Sequence, residues 1–475
     1  MDNRFIPIVT LFTTYYSYLM LIIFGYIRDI FGIIFQPQNF RHLYRSNGIQ
    51  PLYSIFESFY ARRLYNRLKD CWNRPIRGVP GRKIQVLERI SNDNNNTLQL
   101  TGNIIKCLNL SSYNYMGFAT NEGSITKHVL EAVSLYPVNY AAPVIDIGLH
   151  PIIRELELTM AEFLYQEDCI VFPMGFGTNS CNIPVLLAPG SLILSDELNH
   201  VSIITGSKMS FSTTCKFPHN NMKRLEELLI FHISQGQPGT HRDWDRIFVL
   251  VEGIYSMEGT IVKLPELIEL KKKYKFYLFV DEAHSIGAIG KTGRGVCEYT
   301  GVDFRDVDIL MGTFTKGFGS SGGYIAGNKK IINYLRRFSD FTLYGEQMSP
   351  IVAMQTLQAL KCLKETKHGK RVTRRLHRNT REFRSRLEKL GFVLFGHKDS
   401  PVVPILICNP GKLAPFSRMC LERGVAVVVV GHPATPVITS RARICISASH
   451  TRSDILSAVN VINEVGSILG MKKNK

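Results

Sequence analysis

The residues best suited to chemistry are an aspartate and a lysine, each of which closely follows an apolar run. Asp281 follows the run 277–280, and Lys316 stands 35 residues later among glycines and threonines. A lysine attacks a carbonyl only as the free amine, so its pKa must fall from about 10.4. A pyridine cofactor that acts as an electron sink also needs a carboxylate at its ring nitrogen. The pair therefore indicates a Schiff-base lysine and a carboxylate that binds a pyridinium.

Two further motifs follow predicted strands and support the same chemistry. His200 closes the sequence Ser-Asp-Glu-Leu-Asn-His at 195–200, where an imidazole can stack on a cofactor ring. Gly175 and Phe176 open Gly-Phe-Gly-Thr-Asn, whose backbone N–H groups can bind a phosphate. Each feature alone is weak, since a single histidine is more often structural and the glycines suit any tight turn. Asp-Glu-Ala-His also occurs in helicases, but their phosphate loop is missing here.

The elements that would position these residues alternate along the middle of the chain. Apolar strands are predicted at 169–172, 192–194, 247–251, 277–280 and 307–311, with helical stretches between them. This α/β pattern is typical of a mainly parallel sheet covered by helices, and ligands bind at the carboxyl edge of such sheets. Shorter strands at 401–407, 426–430 and 443–447, after a basic helix at 371–390, predict a smaller α+β domain. Residues 37–110 look polar and irregular, with a turn-rich break at 92–96.

The N-terminus carries a candidate membrane segment. Residues 5–27 form a run of 23 positions without a formal charge. A helix of this length spans the roughly 30 Å hydrocarbon core. An amphipathic helix lying in the membrane plane and a buried core helix stay open as alternatives. Arg28, Arg41 and Arg45 follow the run, against Arg4 before it, so the positive-inside rule places the body in the cytosol.

Composition limits the classes of partner. The net charge of +18 suits anionic lipid headgroups, a CoA ester or nucleic acid. No zinc-finger spacing and no RNA-binding signature occurs, so neither nucleic acid nor a bound metal is expected. The ten cysteines include no Cys-x-x-Cys pair, which favours a reduced cytosolic body over a disulfide framework.

Nearly the whole chain resembles the α-oxoamine synthases, a family of enzymes that depend on pyridoxal 5'-phosphate (PLP). Within the family it is most similar to the lysine-bearing, catalytic subunits of eukaryotic serine palmitoyltransferases. The resemblance rests on long motifs: NRPIRGVPG at 73–81, TGNIIKCLNLSSYNYMGFA at 101–119, SDELNHVSI at 195–203, LVEGIYSMEGTIVKLPE at 250–266, DEAHSIGAIGKTGRGV at 281–296, GTFTKGFGSSGGYI at 312–325 and VVVVGHPATPVITSRARICIS at 427–447.

The resemblance implies an aminotransferase-like fold, fold type I, with four parts. These are a membrane anchor helix at 1–36, an N-terminal segment at 37–110, a PLP-binding large domain at 111–365 and a C-terminal small domain at 366–475. It also implies a heterodimer with a homologous subunit that lacks the lysine, held at the endoplasmic reticulum membrane.

The resemblance further implies roles for individual residues. Lys316 would bind the cofactor, Asp281 its ring nitrogen and His284 its ring hydroxyl, while His200 would stack on the ring. The phosphate would lie among Gly175, Phe176, Thr313 and Thr315. Asn114 and Arg443 are the candidates for the substrate carboxylate, and Thr435 belongs to a loop, 433–436, that would close over the bound serine.

The implied activity is the decarboxylating condensation of L-serine with a long-chain fatty acyl-CoA, palmitoyl-CoA, to 3-ketodihydrosphingosine, the first step of sphingolipid synthesis. Lys316 would be the base that moves the proton. Two alternatives stay open. One is a PLP-binding but catalytically weakened paralogue that scaffolds or regulates the complex, and the other is a synthase that uses glycine or alanine.

One loop departs from the family pattern. Where the family has a glycine-rich stretch and a Ser/Thr-Arg pair, this chain has Pro137, Asn139 and then Pro143-Val144, and only Gly148 remains. Proline fixes φ and removes an N–H, so a glycine conformation is not expected there. We therefore expect cofactor attachment to survive and turnover or acyl-CoA specificity to change.

Overall fold

The computed structural model describes residues 8–43 and 55–472. Its helices are α1 (Ile8–Phe35), α2 (Ile55–Arg63), α3 (Ser124–Leu135), α4 (Val144–Ile147), α5 (Pro151–Phe163), α6 (Gly175–Ser180), α7 (Ile183–Leu186), α8 (Val201–Met209), α9 (Met222–Gln235), α10 (Leu264–Tyr274), α11 (Val296–Thr300), α12 (Lys329–Phe338), α13 (Asp340–Leu343), α14 (Pro350–Glu365), α15 (Lys367–Lys389), α16 (Leu413–Glu422) and α17 (Arg452–Ile468).

Its strands form three sheets. They are β1 (Ile76–Arg77), β2 (Lys83–Ile90), β3 (Gln99–Asn109), β4 (Asp168–Phe172), β5 (Leu192–Asp196), β6 (Thr213–Phe217), β7 (Ile247–Glu252), β8 (Tyr277–Asp281), β9 (Ile309–Thr313), β10 (Gly323–Gly327), β11 (Val402–Cys408), β12 (Val425–Ala426), β13 (Val428–Val430) and β14 (Ser440–Cys445).

The largest sheet has seven strands in the order β4-β10-β9-β8-β7-β5-β6. Only β10 runs antiparallel to its neighbours, so the predicted mainly parallel α/β sheet is confirmed. Its inner strands are apolar runs because helices cover both faces and leave no polar side. Every residue of β5 and β9 is buried. The predicted strands all occur here, and each ends within a few residues of its predicted limit.

Register brings the chemical residues to one edge of this sheet. Glu252 at the end of β7 is the direct neighbour of Asp281 at the end of β8. The adjacent strand β9 ends at Thr313, opposite Gly323 of β10. Strand β4 runs antiparallel to β10 and leads directly into α6. The carboxyl ends of the strands therefore supply the residues from which the site is built.

The irregular structure predicted for residues 37–110 is wrong over much of that segment. Strands β2 and β3 form an antiparallel hairpin whose turn includes the predicted break at 92–96. The sequence did not indicate β2 as a strand, because only Ile84 and Val86 are buried and the exposed face carries charged residues. Strand β12 of the C-terminal region pairs with β3, so the N-terminal hairpin completes a sheet with the end of the chain. The domain limits stay predictions.

The C-terminal region contains the predicted smaller α+β layer. Strand β11 pairs with β14, and β14 pairs with β13. The predicted strand at 426–430 is split, because Val425 and Ala426 join β3 while Val428 to Val430 join β14. The predicted basic helix is confirmed as α15, whose buried stripe includes Val372, Leu376, Phe383 and Leu387.

Helix α1 extends beyond the uncharged run that predicted it. Residues 5–7, Arg4 and Arg45 lie outside the described residues. The helix is long and apolar enough to cross a membrane, and little of its most apolar stretch is buried. Asp29 on its inner face binds Arg62 and Arg63 at 2.8 and 2.6 Å. Gly25 lies so close to the Phe59 ring that a side chain there would clash. Helix α1 thus packs against α2 along its second half.

Candidate active site

Lys316 follows β9 and is half-buried at the carboxyl edge of the large sheet. Its Nζ lies 5.9 Å from the centre of the Tyr113 ring. Burial lowers the pKa of Lys316, with Arg443 adding to the effect, while Asp281 and Glu252 oppose it. A lowered pKa increases the fraction of free amine near neutral pH, which is the form that attacks a carbonyl.

Asp281 is a buried carboxylate, 3% exposed, at the end of β8. Its Oδ2 accepts a hydrogen bond from Asn179 Nδ2 at 2.8 Å, and its Oδ1 accepts one from the Ala283 N–H at 2.8 Å. Within residues 8–43 and 55–472, no cationic side chain forms an ion pair with it. A buried carboxylate without a cation is costly, so the site fits a ligand that brings one, as a pyridinium does.

His200 caps helix α8, which orients its ring. Its Nδ1 accepts the Ser202 N–H at 3.2 Å and contacts the Ser202 hydroxyl at 2.8 Å. Burial lowers the pKa of His200, and nearby Lys316 lowers it further, while Asp281 has the opposite effect. The Phe176 ring meets the imidazole edge-on at 6.2 Å between centroids. A neutral imidazole held in this way suits stacking on a flat, electron-poor ring.

His284 is fully buried beside two tyrosines that sequence reasoning did not assign to the site. Its Nδ1 lies 2.8 Å from the Tyr115 hydroxyl, and the Tyr113 ring meets it edge-on at 4.7 Å. Burial holds the pKa of His284 well below its ordinary value, and Lys316, Arg443 and His200 lower it further. The imidazole is therefore neutral, and its Nε2 is the nitrogen that would bond the cofactor hydroxyl, as predicted.

The residues predicted to hold the phosphate meet at the start of α6. A side chain at Gly175 would approach the Thr313 methyl group at 3.0 Å and the Gly322 carbonyl oxygen at 3.3 Å. The Thr315 hydroxyl donates to the Thr313 hydroxyl at 3.2 Å. The first N–H groups of a helix have no acceptor within it, so they are free for an anion. Gly175, Phe176, Thr313 and Thr315 thus fit a phosphate together.

Arg443 on β14 reaches into the same space from the smaller sheet. Its guanidinium lies 4.6 Å from the centre of the Tyr113 ring, and Nη1 contacts the Met257 sulfur at 3.2 Å. Its Nε is buried and has no hydrogen-bond partner among the described residues. An arginine with unused donors beside Lys316 fits the predicted role in binding a substrate carboxylate.

Two predicted substrate residues are not brought into contact with this cluster. The Asn114 amide holds its own loop together through hydrogen bonds. Its Nδ2 donates to the carbonyl oxygens of Pro80 and Ala119, and its Oδ1 accepts the Ala119 N–H. Thr435 is buried, its N–H donates to Gly431, and its hydroxyl has no partner in the described part of the chain. Both roles stay predictions. Tyr113 and Tyr115, on either side of Asn114, are the residues of this loop that contact the site.

The loop that departs from the family pattern is anchored on the segment before α14. Asn139 donates to the Glu346 carboxylate, and Pro143 forms a β-bridge with Glu346. The Ser349 hydroxyl donates to the Val138 carbonyl at 2.5 Å. Ala141 has a φ of 52°, so a residue with a side chain occupies a conformation that favours glycine. The proline and asparagine substitutions therefore form a loop with its own contacts.

Comparison with known proteins agrees with this geometry. Residues 105–462 match the family model "Aminotransferase class I and II". The chain is 47% identical to serine palmitoyltransferase 2 of Dictyostelium discoideum, covering 100% of this chain and 96% of the relative. It is 47% identical to the Saccharomyces cerevisiae protein of that name, covering 97% and 83%. A serine palmitoyltransferase from S. paucimobilis, solved with PLP and myriocin bound, superposes with a TM-score of 0.73 at 25% identity, covering 83% and 93%.

Fold and site together define a PLP-dependent enzyme of the class I and II aminotransferase fold, and its relatives make it an acyltransferase. Lys316, Asp281, His284 and His200 are the residues that fit this cofactor. The chain belongs to the serine palmitoyltransferase family, in the branch of the second subunit. The resemblance read from the motifs is therefore confirmed.

Glu252 is a residue of the site that sequence reasoning missed. It is 3% exposed, adjoins Asp281 in the sheet, and accepts the His200 N–H. Burial raises the pKa of Glu252 well above its ordinary value, and the Asp281 charge raises it further. The neutral form of the carboxyl is therefore favoured, and Glu252 positions His200 by accepting its backbone N–H. A glutamate at the end of an apolar run, as in the motif around Asp281, was the available signal.

We expect Glu252→Gln to retain turnover within about threefold, because an amide also accepts the His200 N–H without a charge. Glu252→Ala should reduce kcat/KM about tenfold or more, since the buried N–H loses its acceptor. As pH rises through the raised pKa, ionisation places a second negative charge beside Asp281. Wild-type activity should therefore fall at the high-pH end of the pH–activity profile, and Glu252→Gln should lack this decline. Identical pH profiles would contradict a role for the Glu252 proton.

Removal of the Tyr115 hydroxyl should leave His284 with an unpaired buried nitrogen. We expect Tyr115→Phe to reduce the free energy of unfolding by about 1–3 kcal/mol and to lower turnover by about tenfold. Tyr324→Phe is the matched control, because the Tyr324 hydroxyl is equally buried but has no hydrogen-bond partner in the described chain. Denaturant unfolding with parallel kcat measurements tests this, and equal losses in the two variants would contradict it.

Proposed function

We propose that this chain catalyses the decarboxylating condensation of L-serine with a long-chain fatty acyl-CoA, palmitoyl-CoA, to 3-ketodihydrosphingosine. This would be the first step of sphingolipid synthesis. The strongest support is the juxtaposition of a lysine of lowered pKa, Lys316, with a buried carboxylate, Asp281, that has no ion-pair partner in the described part of the chain. The names of the relatives support serine and a palmitoyl donor as substrates.

Bound PLP supplies an electron sink that stabilises negative charge on the carbon beside a substrate amine. The chain's own residues complete the chemistry. Asp281 would keep a positive charge on the ring nitrogen, and the neutral His284 would bond the ring hydroxyl. His200 would cover one face of the ring and exclude water from it.

Two basic side chains would act on the amino acid. Arg443 would hold the carboxylate of serine through its unused guanidinium donors and so orient the bonds at the α-carbon. Lys316 Nζ would take the α-proton, since a free amine is available at a lowered pKa. Both side chains approach the Tyr113 ring, Lys316 Nζ at 5.9 Å and the Arg443 guanidinium at 4.6 Å from its centre, so Tyr113 would help to position them.

The proposal extends to assembly and location. We infer a heterodimer with a homologous subunit that lacks the lysine. We also infer attachment to the endoplasmic reticulum membrane with the catalytic body in the cytosol. The exposed apolar residues of α1 support the membrane contact, because Ile8, Phe12, Ile30 and Phe35 leave more than half of their surface open to solvent. A membrane location also suits a lipid substrate and product.

A second candidate is a PLP-binding paralogue with weak turnover that scaffolds or regulates the complex. One observation favours it, namely the substituted loop at 137–147 and its anchoring on Glu346 and Ser349. Such a chain would bind the cofactor through Lys316 but would not condense its substrates.

The test is acyl-CoA-dependent incorporation of labelled serine by this chain, co-expressed with the lysine-less subunit. We expect the labelled long-chain ketone to form with serine in preference to alanine or glycine. A matched variant carries the Dictyostelium relative's loop in place of residues 137–147. Cofactor absorbance without product in the wild type, with product restored in the loop variant, would favour the scaffold. Equal use of alanine or glycine would overturn the serine assignment.

A further inference from the structure

A large cavity lies between helix α1 and the catalytic body, away from Lys316. Its volume is about 1220 Å³. One wall comes from α1, and another comes from residues 60–68, which are the last turn of α2 and the residues after it. The far side is formed by the loops at 93–96, 410–415 and 431–440. A space of this size would hold a molecule much larger than serine.

Two arginines on the walls of the cavity, Arg28 and Arg67, have no side-chain partner in the described part of the chain. Arg62 and Arg63 both bind Asp29, and Arg418 binds Asp70 at 2.7 Å. The side chains of Arg28 and Arg67 form no hydrogen bond and no ion pair among residues 8–43 and 55–472. Burial lowers the pKa of Arg67, and the charges of Arg28 and Arg63 lower it further. Arg67 is therefore close enough to Arg28 and Arg63 to be repelled by their charges, and an anion beside Arg67 would relieve that repulsion.

The same cavity has an apolar side. Leu21, Phe31 and Phe35 of α1 and Phe40 beyond it line this side. The neighbouring outer face of α1 exposes large apolar residues, as a membrane-bound helix does. Cationic and apolar walls in one cavity, beside a helix with an exposed apolar face, match an amphiphile with an anionic head.

We propose that this cavity binds an anionic membrane phospholipid, with its phosphate between Arg28 and Arg67 and an acyl chain along Leu21 and Phe31. This site is distinct from the condensing site and does not depend on the proposed substrates. Its bound lipid would also touch Gly431, His432 and Ser440, which flank the loop 433–436 and lead into β14. Because β14 carries Arg443, a lipid bound in the cavity would contact the strand that holds this arginine.

The test measures lipid binding to the full-length chain in its purified complex, after lipid removal. Phosphatidylserine and phosphatidylcholine are each added in detergent, and bound lipid is counted by native mass spectrometry. We expect phosphatidylserine to bind preferentially. Arg67→Gln and Arg28→Gln should each weaken it about tenfold, since each removes one charge-assisted contact. Arg242→Gln is the matched control, because it removes the same charge from an exposed arginine elsewhere.

Arg67→Lys keeps the charge and should retain most of the binding. Cofactor absorbance reports that each variant is folded, and this readout is independent of whether serine is the substrate. Equal phosphatidylserine binding by wild type and the Arg28/Arg67 double variant would overturn the proposal. Displacement of the lipid by inorganic phosphate at equal concentration would also overturn it, because the apolar wall would then contribute nothing.

Discussion

Lys316→Ala is expected to abolish turnover, with a loss of at least about a thousandfold, because it removes both the attacking amine and the proposed base. The visible absorbance of the lysine-bound cofactor should disappear at the same time. Lys316→Arg should fail equally, although it keeps the positive charge, because a guanidinium does not lose its proton at neutral pH. Absorbance and kcat, measured on the complex with the lysine-less subunit, test both variants.

Lys330→Ala is the matched control for this loss, since Lys330 is exposed on α12 and the change in charge is the same. It should leave absorbance and turnover unchanged. Residual condensation in Lys316→Ala within tenfold of wild type would show that another group attacks or moves the proton. The site as built around Lys316 would then be wrong.

Asp281→Asn is expected to have the second largest effect. The amide preserves the shape of the side chain but removes the negative charge that would face the ring nitrogen. Breaking a buried pair of opposite charges costs about 3–5 kcal/mol. If this cost falls on the transition state, kcat should drop by two to nearly four orders of magnitude, at about 1.36 kcal/mol for each factor of ten. Steady-state kinetics and cofactor retention after dialysis measure the two parts of the effect.

The distribution of that loss between kcat and KM is informative. A charge needed to stabilise the developing negative charge lowers kcat, whereas one needed only for cofactor binding is rescued by excess PLP. Asp303→Asn on an exposed turn serves as the control, because it removes a carboxylate far from the carboxyl edge of the sheet. Full rescue of Asp281→Asn by excess PLP would contradict an electronic role for Asp281.

The parts of the fold that sequence predicted well are those with one strong local cause. Buried parallel strands such as β7 and β8 must be apolar on both faces, so they stand out as continuous runs. Strand β2 exposes charged residues on one face and was missed. Its partner β3 lies next in sequence, but β12 joins the same sheet from more than 300 residues away. A single sequence carries no local signal for such a pairing.

The same contrast applies to the site. Lys316, Asp281, His200 and His284 lie in motifs whose residue types already indicate the chemistry. Tyr113, Tyr115 and Asn179 reach the site through the packing of other segments against the sheet, and Glu252 reaches it through the pairing of β7 with β8. The Asn114 side chain, although predicted, is used to hold its own loop.

The mainly parallel α/β sheet, the lysine–aspartate pair at strand ends and the apolar N-terminal run could all be predicted from the sequence, because each of these features depends on residues that are neighbours in the chain. The contacts of the folded chain were needed to show that the Asp281 carboxylate has no cationic partner among the described residues, that Glu252 adjoins it with a raised pKa, and that Arg28 and Arg67 face one cavity. Charge and burial at these positions depend on contacts between segments distant in the chain, and folding is what creates those contacts.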